Sequence, residues 1–176
     1  MTPSEYIQLK AFARQDGVLM AVLWTVSFAF YVMGLTRPTL GMLAILLAMM
    51  TPFFMWQRLK KYRDGCLDGV LSLRRGWAFV IFTFFYGSLL FAAIQFVYFS
   101  YMDNGRFFKG LTQMFSDPAN AESLKSLGIG SSLGETLHEM AAMRPIDLVL
   151  NILSSNLLMG LVAGLPIAAM AKRVKS

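Results

Sequence analysis

Four long stretches of this chain, at 17–33, 39–56, 77–101 and 146–171, contain between them one charged residue, Asp147. Nothing else in the sequence limits the fold as much. An α-helix rises 1.5 Å per residue, so roughly 20 apolar residues cross the 30 Å of bilayer hydrocarbon. The last two runs reach that length alone; the first covers about 25 Å and needs its flanking residues to complete a span. Composition agrees. Of 176 residues, 56% are hydrophobic and 15% charged, against roughly a quarter charged in a soluble domain. A soluble chain this short could not bury so much apolar surface. The expectation is an all-α, integral membrane four-helix bundle with spans at about 17–35, 39–57, 77–102 and 146–171. A long, partly helical external loop at about 103–145 joins the third and fourth.

The ends of the spans carry their own signals. Thr2-Pro3-Ser4-Glu5 has the form of a capping box with proline at the first helical position. The residues after it, Tyr6, Ile7, Leu9 and Phe12 among Gln8, Lys10 and Arg14, read as a short helix on the membrane surface or as a plain lead-in to the first span. The apolar run begins too late, and without a small-residue cleavage site after it, to read as a secretory signal. Gly34-Leu35-Thr36-Arg37-Pro38 is a tight turn, so the first two spans form a hairpin, and Trp56 suits a water interface. Pro52 and Pro166 are candidate kinks.

Orientation follows from the basic residues. The N-terminal tail, the segment from Arg58 to Arg75 and the C-terminal tail hold eleven of the sixteen Lys and Arg residues; the turn and the long loop hold five. Acidic residues lean the other way, four against six, which divides the net charge of +6 into +7 and −1. The basic side is expected in the cytoplasm with both termini, in a bacterial inner membrane. The basic residues then report topology and anionic-lipid attraction; no nucleic-acid partner is expected. Arg58, Lys60, Lys61, Arg63, Arg74 and Arg75 are candidate lipid-phosphate contacts. A lone cysteine, Cys66, excludes an internal disulfide, and a lone histidine, His138, excludes a His-rich metal site. No cofactor, metal or catalytic set is expected, and the protein reads as non-enzymatic.

In the external loop, Phe107, Phe108, Leu111, Met114 and Phe115 recur at helical spacing around Lys109 and Gln113. They predict an amphipathic helix at the outer interface, either a lid or docking surface or a passive cover over the bundle, ended near Asp117-Pro118. A helical piece at 121–127 follows, then a glycine-rich hinge from Gly128 to Gly134 and another short helix containing Leu137, Met140, Ala141 and Met143. Within the spans, Gln95 and Tyr98 in the third and Asn151, Ser154, Ser155 and Asn156 in the fourth are neutral polar groups. Gln95, Tyr98, Asn151, Ser155 and Asn156 form a candidate intramembrane cluster, either a polar pocket or adhesion between helices. Gly160 and Gly164 make a small-xxx-small step whose partner is an internal helix, a second copy or another protein.

The run Lys61-Tyr62-Arg63-Asp64-Gly65, the segment to Trp77 and the aromatic third span ending Tyr98-Phe99-Ser100-Tyr101-Met102-Asp103 resemble the domain-of-unknown-function 4199 family. The opening Met1-Thr2-Pro3-Ser4-Glu5-Tyr6 and the segment from Gly160 to Lys172 are compatible with it. Members often carry an acidic-proline pair after the third span, where this chain has Asp103-Asn104-Gly105. The resemblance implies a small integral membrane protein, mainly of Bacteroidota, without an established activity. It also implies neighbourhood with polyprenyl-phosphate glycosyltransferases. The expected function is accordingly an accessory protein packed against another membrane protein, such as a glycosyltransferase of envelope glycan assembly, or present as a homo-oligomer. The alternative is a lipid or small-solute transporter or binding protein with a polar cavity between the third and fourth spans.

Overall fold

A computed structural model describes residues 1–117, 126 and 130–173. The helical piece expected at 121–127 lies outside them except for Ser126, and so does the start of the glycine-rich segment. Among the described residues the chain is all helical apart from one isolated antiparallel bridge, Leu71 with Arg173. Four helical stretches are long and apolar enough to cross a membrane, Pro3–Gly34, Pro38–Cys66, Leu73–Met102 and Pro145–Ala171. The protein is a multi-pass membrane protein whose apolar helix faces meet lipid.

Helix α1, Pro3–Gly34, opens on the expected capping box: Thr2 Oγ1 accepts from the Glu5 N–H at 3.3 Å, and Glu5 Oε2 accepts from the Thr2 N–H at 2.7 Å. The helix then runs without a break, so the lead-in is continuous with the first span. No proline follows Pro3 in it and no glycine precedes Gly17. Leu9, Ala13 and Met20 recur at helical spacing and are buried in the protein core, beside Leu59 and Tyr62. One face of the lead-in therefore packs on protein, while Tyr6 and Ile7 stay exposed.

The second span is two helices, α2, Pro38–Met49, and α3, Thr51–Cys66, interrupted at Met50. Pro52 has no N–H to give to the carbonyl of Ala48, and its ring crowds the preceding turn, so the break falls there. Pro166, by contrast, leaves its helix uninterrupted. Helix α3 carries Arg58 through Arg63 as helix, and only 67–72 connects it to the next element. Asp68 and Gly69 take positive φ of 49° and 77° in that connection. Ser72 caps α4, Leu73–Val97, which ends in a π-helical turn, Tyr98–Met102.

Asn104 and Gly105, both at positive φ, turn the chain into α5, Arg106–Ser116. This is the expected amphipathic helix: Leu111 is buried, Phe107, Phe108, Met114 and Phe115 are half-buried, and Lys109 and Gln113 are exposed. Phe107 meets Phe28 and Tyr31 of α1, with centroids 6.0 and 5.8 Å away. Helix α5 thus covers the Gly34 end of the first span. Helix α6, Gly130–Ala142, packs on α5. Gly130 and Gly134 belong to it, which corrects the hinge; Gly134 has open space around its Cα, so helix costs it only its intrinsic propensity. Helix α7, Pro145–Ala171, starts beside an Arg144–Asp147 ion pair at 2.6 Å.

Helix α4 is the hub, packed between α1 and α7, while α2 leans chiefly on α1. Two close crossings set this order. A Cβ on Gly17 would lie 2.7 Å from the Tyr86 Cβ, so α1 and α4 approach nearly backbone to backbone. A Cβ on Gly160 would lie 2.5 Å from Phe84 Cγ, so the small-residue step of α7 seats on α4. The Trp77 indole N–H donates to the Leu161 carbonyl at 3.0 Å along that seam. Of the three partners open to Gly160 and Gly164, the fold uses the internal helix.

Candidate functional site

Helix α7 reaches α3 at the basic end of the bundle, but α2 buries only Ala44. Between α2 and α7 a cavity of about 600 Å³ remains, bounded by α1, α2, the start of α3, α4 and α7. The hairpin side of it is held by two bonds. Ser27 donates to the Ala44 carbonyl at 2.8 Å, and the Trp24 indole N–H donates to Thr51 Oγ1 at 3.0 Å. Both join α1 to the second span, and the second lies at the proline break, where a displaced helix has room for a threonine hydroxyl. The back wall is aromatic. Trp24 meets Phe84 and Phe91 edge-on at 5.5 and 5.8 Å, and Phe28 meets Phe91 at 5.9 Å. From α7 come Asn156, Met159, Ala163 and Ile167. No charged residue lines the cavity. Phe28 also borders a second hollow of about 580 Å³ formed by α1, the C-terminal half of α4 and the π-helical turn; it is almost wholly apolar, with Phe28 and Tyr98 as its rings.

The polar residues of the third and fourth spans do not gather as one cluster. The Tyr98 hydroxyl donates to Asp103 Oδ1 at 3.0 Å, which also accepts from the Phe107 N–H at 2.8 Å. Ser155 donates to the Asn151 carbonyl at 3.0 Å and Ser154 to Leu150 at 2.9 Å, one turn back on their own helix. Such back-bonding satisfies a hydroxyl in lipid without a neighbour. Asn151 is exposed. Gln95 is buried, its Oε1 without a hydrogen-bond partner, as is Ser88 Oγ. Of the five residues in the expected cluster, only Asn156 lines the groove, and it does so on the side toward the second span.

The basic end is a clasp. Arg58 donates through Nε and Nη2 to Asp16 Oδ1, the former at 2.7 Å, joining α3 to α1. Arg75 donates to the Tyr62 hydroxyl at 3.1 Å and to Glu5 at 3.0 Å. Arg63 donates to Asp64 at 2.7 Å and to the Ala171 carbonyl at 3.0 Å, beside the bridge from Leu71 to Arg173. Three of the six candidate lipid-phosphate contacts, Arg58, Arg63 and Arg75, are therefore engaged within the protein. Lys60 lies over the Trp56 ring at 4.6 Å, and Lys61 and Arg74 are exposed to the surroundings. His138 is exposed on α6. Among the described residues no three His, Cys, Asp or Glu side chains converge as a metal ion would require.

Sequence reasoning misses Trp24, Ser27 and Thr51 as a unit. The available signals were a tryptophan and two hydroxyls inside otherwise apolar runs, with one hydroxyl adjoining Pro52. It also misses the Asp16–Arg58 pair, whose members stand 42 positions apart.

A family model described as "Protein of unknown function (DUF4199)" matches residues 15–173. No curated protein and no solved structure matches the chain.

Proposed function

Because this chain belongs to the DUF4199 family, whose description carries no activity, we propose from its geometry that it is a non-enzymatic membrane protein that holds one lipid-soluble molecule. The site is the groove between α2 and α7. The observation that carries this reading is the charge-free cavity of about 600 Å³ among four membrane helices. That volume lies within the roughly 300–1,000 Å³ of ligand pockets. A partner helix 10–12 Å across would need roughly 500 Å³ for each turn, so the cavity admits little more than one turn of helix. A hydrocarbon chain fits it better than a helix does.

In this reading the protein sits in a bacterial inner membrane, and the basic end, with both termini, faces the cytoplasm, as the excess of Lys and Arg there supports. Native mass spectrometry of protein extracted gently from its own membranes tests the binding reading. A defined lipid mass should accompany the wild type and be lost from Ala48→Trp, whose side chain would fill the groove from α2. Equal retention by both, or a bare protein in both, would overturn it.

A second reading draws on the exposed face of the second span, where Met42, Leu46, Met50 and Phe53 are exposed and do not line the groove. Methionine-rich surfaces re-pack readily against varied partners. That face would dock an accessory protein on another membrane protein, a polyprenyl-phosphate glycosyltransferase being the partner the family resemblance implies. The same spectrum would then carry a second protein at fixed stoichiometry.

A further inference from the structure

The chemistry of the groove narrows the occupant, on the premise that it holds a lipid-soluble molecule. An ordinary acyl chain asks only for apolar walls, such as those of the hollow beside Val32 and Val97, where Phe28 and Tyr98 are the rings in the lining. The groove between α2 and α7 is different: Trp24, Phe28, Tyr31, Phe84 and Phe91 all line it. Faces and edges of aromatic rings pair specifically with another flat ring. Its polar groups are neutral throughout. The Trp24 N–H and the Ser27 hydroxyl are already committed to Thr51 and Ala44. The Tyr31 hydroxyl and the Asn156 carboxamide make no hydrogen bond within the described residues, so both have donors to offer a ligand. A phosphate or carboxylate head would find no cation in this lining and would lose its hydration at a cost of several kcal/mol. A neutral acceptor would lose little.

We infer that the groove takes a quinone-type lipid: a neutral ring with carbonyl oxygens, seated among Trp24, Phe84 and Phe91, with a carbonyl accepting from the Asn156 amide and its tail running out between α2 and α7. The inference concerns binding alone.

The full-length protein in lipid nanodiscs allows a direct test, because Trp24 lies in the lining. The probes are a benzoquinone with a ten-carbon alkyl tail and decylbenzene, which has the same tail and no carbonyl. The signal is tryptophan quenching by the quinone, with the Trp24→Phe protein subtracted to remove the response of Trp56 and Trp77. The quinone should quench saturably, and decylbenzene should compete at least tenfold more weakly. Asn156→Leu should weaken the quinone by roughly three- to tenfold, the worth of one hydrogen bond, without changing decylbenzene. Tyr31→Phe provides a second, milder variant that retains the ring. Equal competition by the two probes, or no change in Asn156→Leu, would overturn the quinone assignment and leave the chain-holding groove standing. Absence of saturation by either probe would overturn both.

Discussion

The Asp16–Arg58 pair gives the sharpest test of how this bundle is held. Its two sides differ: the Asp16 side chain is 3% exposed and that of Arg58 24%. Arg58→Met leaves a carboxylate enclosed without its partner, and such broken pairs cost about 3–5 kcal/mol. Asp16→Asn leaves an arginine that can turn outward and still donate to the amide oxygen. Its cost should be about 1–2 kcal/mol, near the value of a charge-assisted hydrogen bond. The double variant removes both charges. Adding Asp16→Asn to Arg58→Met should therefore restore stability, by roughly 1–3 kcal/mol, through removal of the stranded charge. The measurement is reversible unfolding in mixed micelles of rising SDS fraction, followed by tryptophan fluorescence for all four proteins. If the double variant is less stable than Arg58→Met alone, or if Asp16→Asn is the more damaging single change, the reasoning fails.

Four further outcomes follow from the fold. Gly160→Ala should lose up to about 2 kcal/mol, since overpacking against Phe84 costs roughly 1–3 and the gain in helix propensity returns about 1. Gly65→Ala, with open space around it, should be neutral or stabilising in the same unfolding assay. Trp77→Phe removes the bond to Leu161 across the α4–α7 seam and should cost about 0.6 kcal/mol, the average for interhelical hydrogen bonds in membranes. In spheroplasts, a membrane-impermeant maleimide should leave Cys66 unlabelled until the membrane is opened. A Cys66→Ser, Ser116→Cys protein should label from outside at once; the reverse pattern would invert the topology.

Much of the architecture is legible in the residues because lipid imposes so blunt a filter. An uncharged run of twenty residues has few other fates, and the capping box at Thr2 and the amphipathic spacing of α5 are local codes that tertiary packing leaves intact. Where the reading departs from the structure, the deciding contact is remote or reflexive. Helix α1 continues through Lys10 and Arg14 because Leu9 and Ala13 find Leu59 and Tyr62, about fifty positions away. Ser154 and Ser155 look like material for a pocket, but each satisfies itself on its own backbone. Glycines at 130 and 134 suggest a hinge, yet a glycine with nothing pressing on it can lie in a helix at modest cost. The groove is the least legible feature. It is a space left where α2 fails to close on α7, and it follows from the Gly160 seam, the proline break and the Trp24–Thr51 bond taken together.

The seam between α4 and α7 also bears on how the protein is made. Helix α7 is synthesised after the other three spans, once roughly forty further residues have followed α4. Until then, the face of α4 that will receive it, Trp77, Val80 and Phe84, stands open to the bilayer. Apart from the indole N–H of Trp77, those side chains are rings and branched alkyl groups, which lipid tails cover at little cost while synthesis proceeds. The first three spans can therefore wait, inserted and stable, for the fourth to arrive and displace the tails. A polar face in that position would have required a chaperone during the interval.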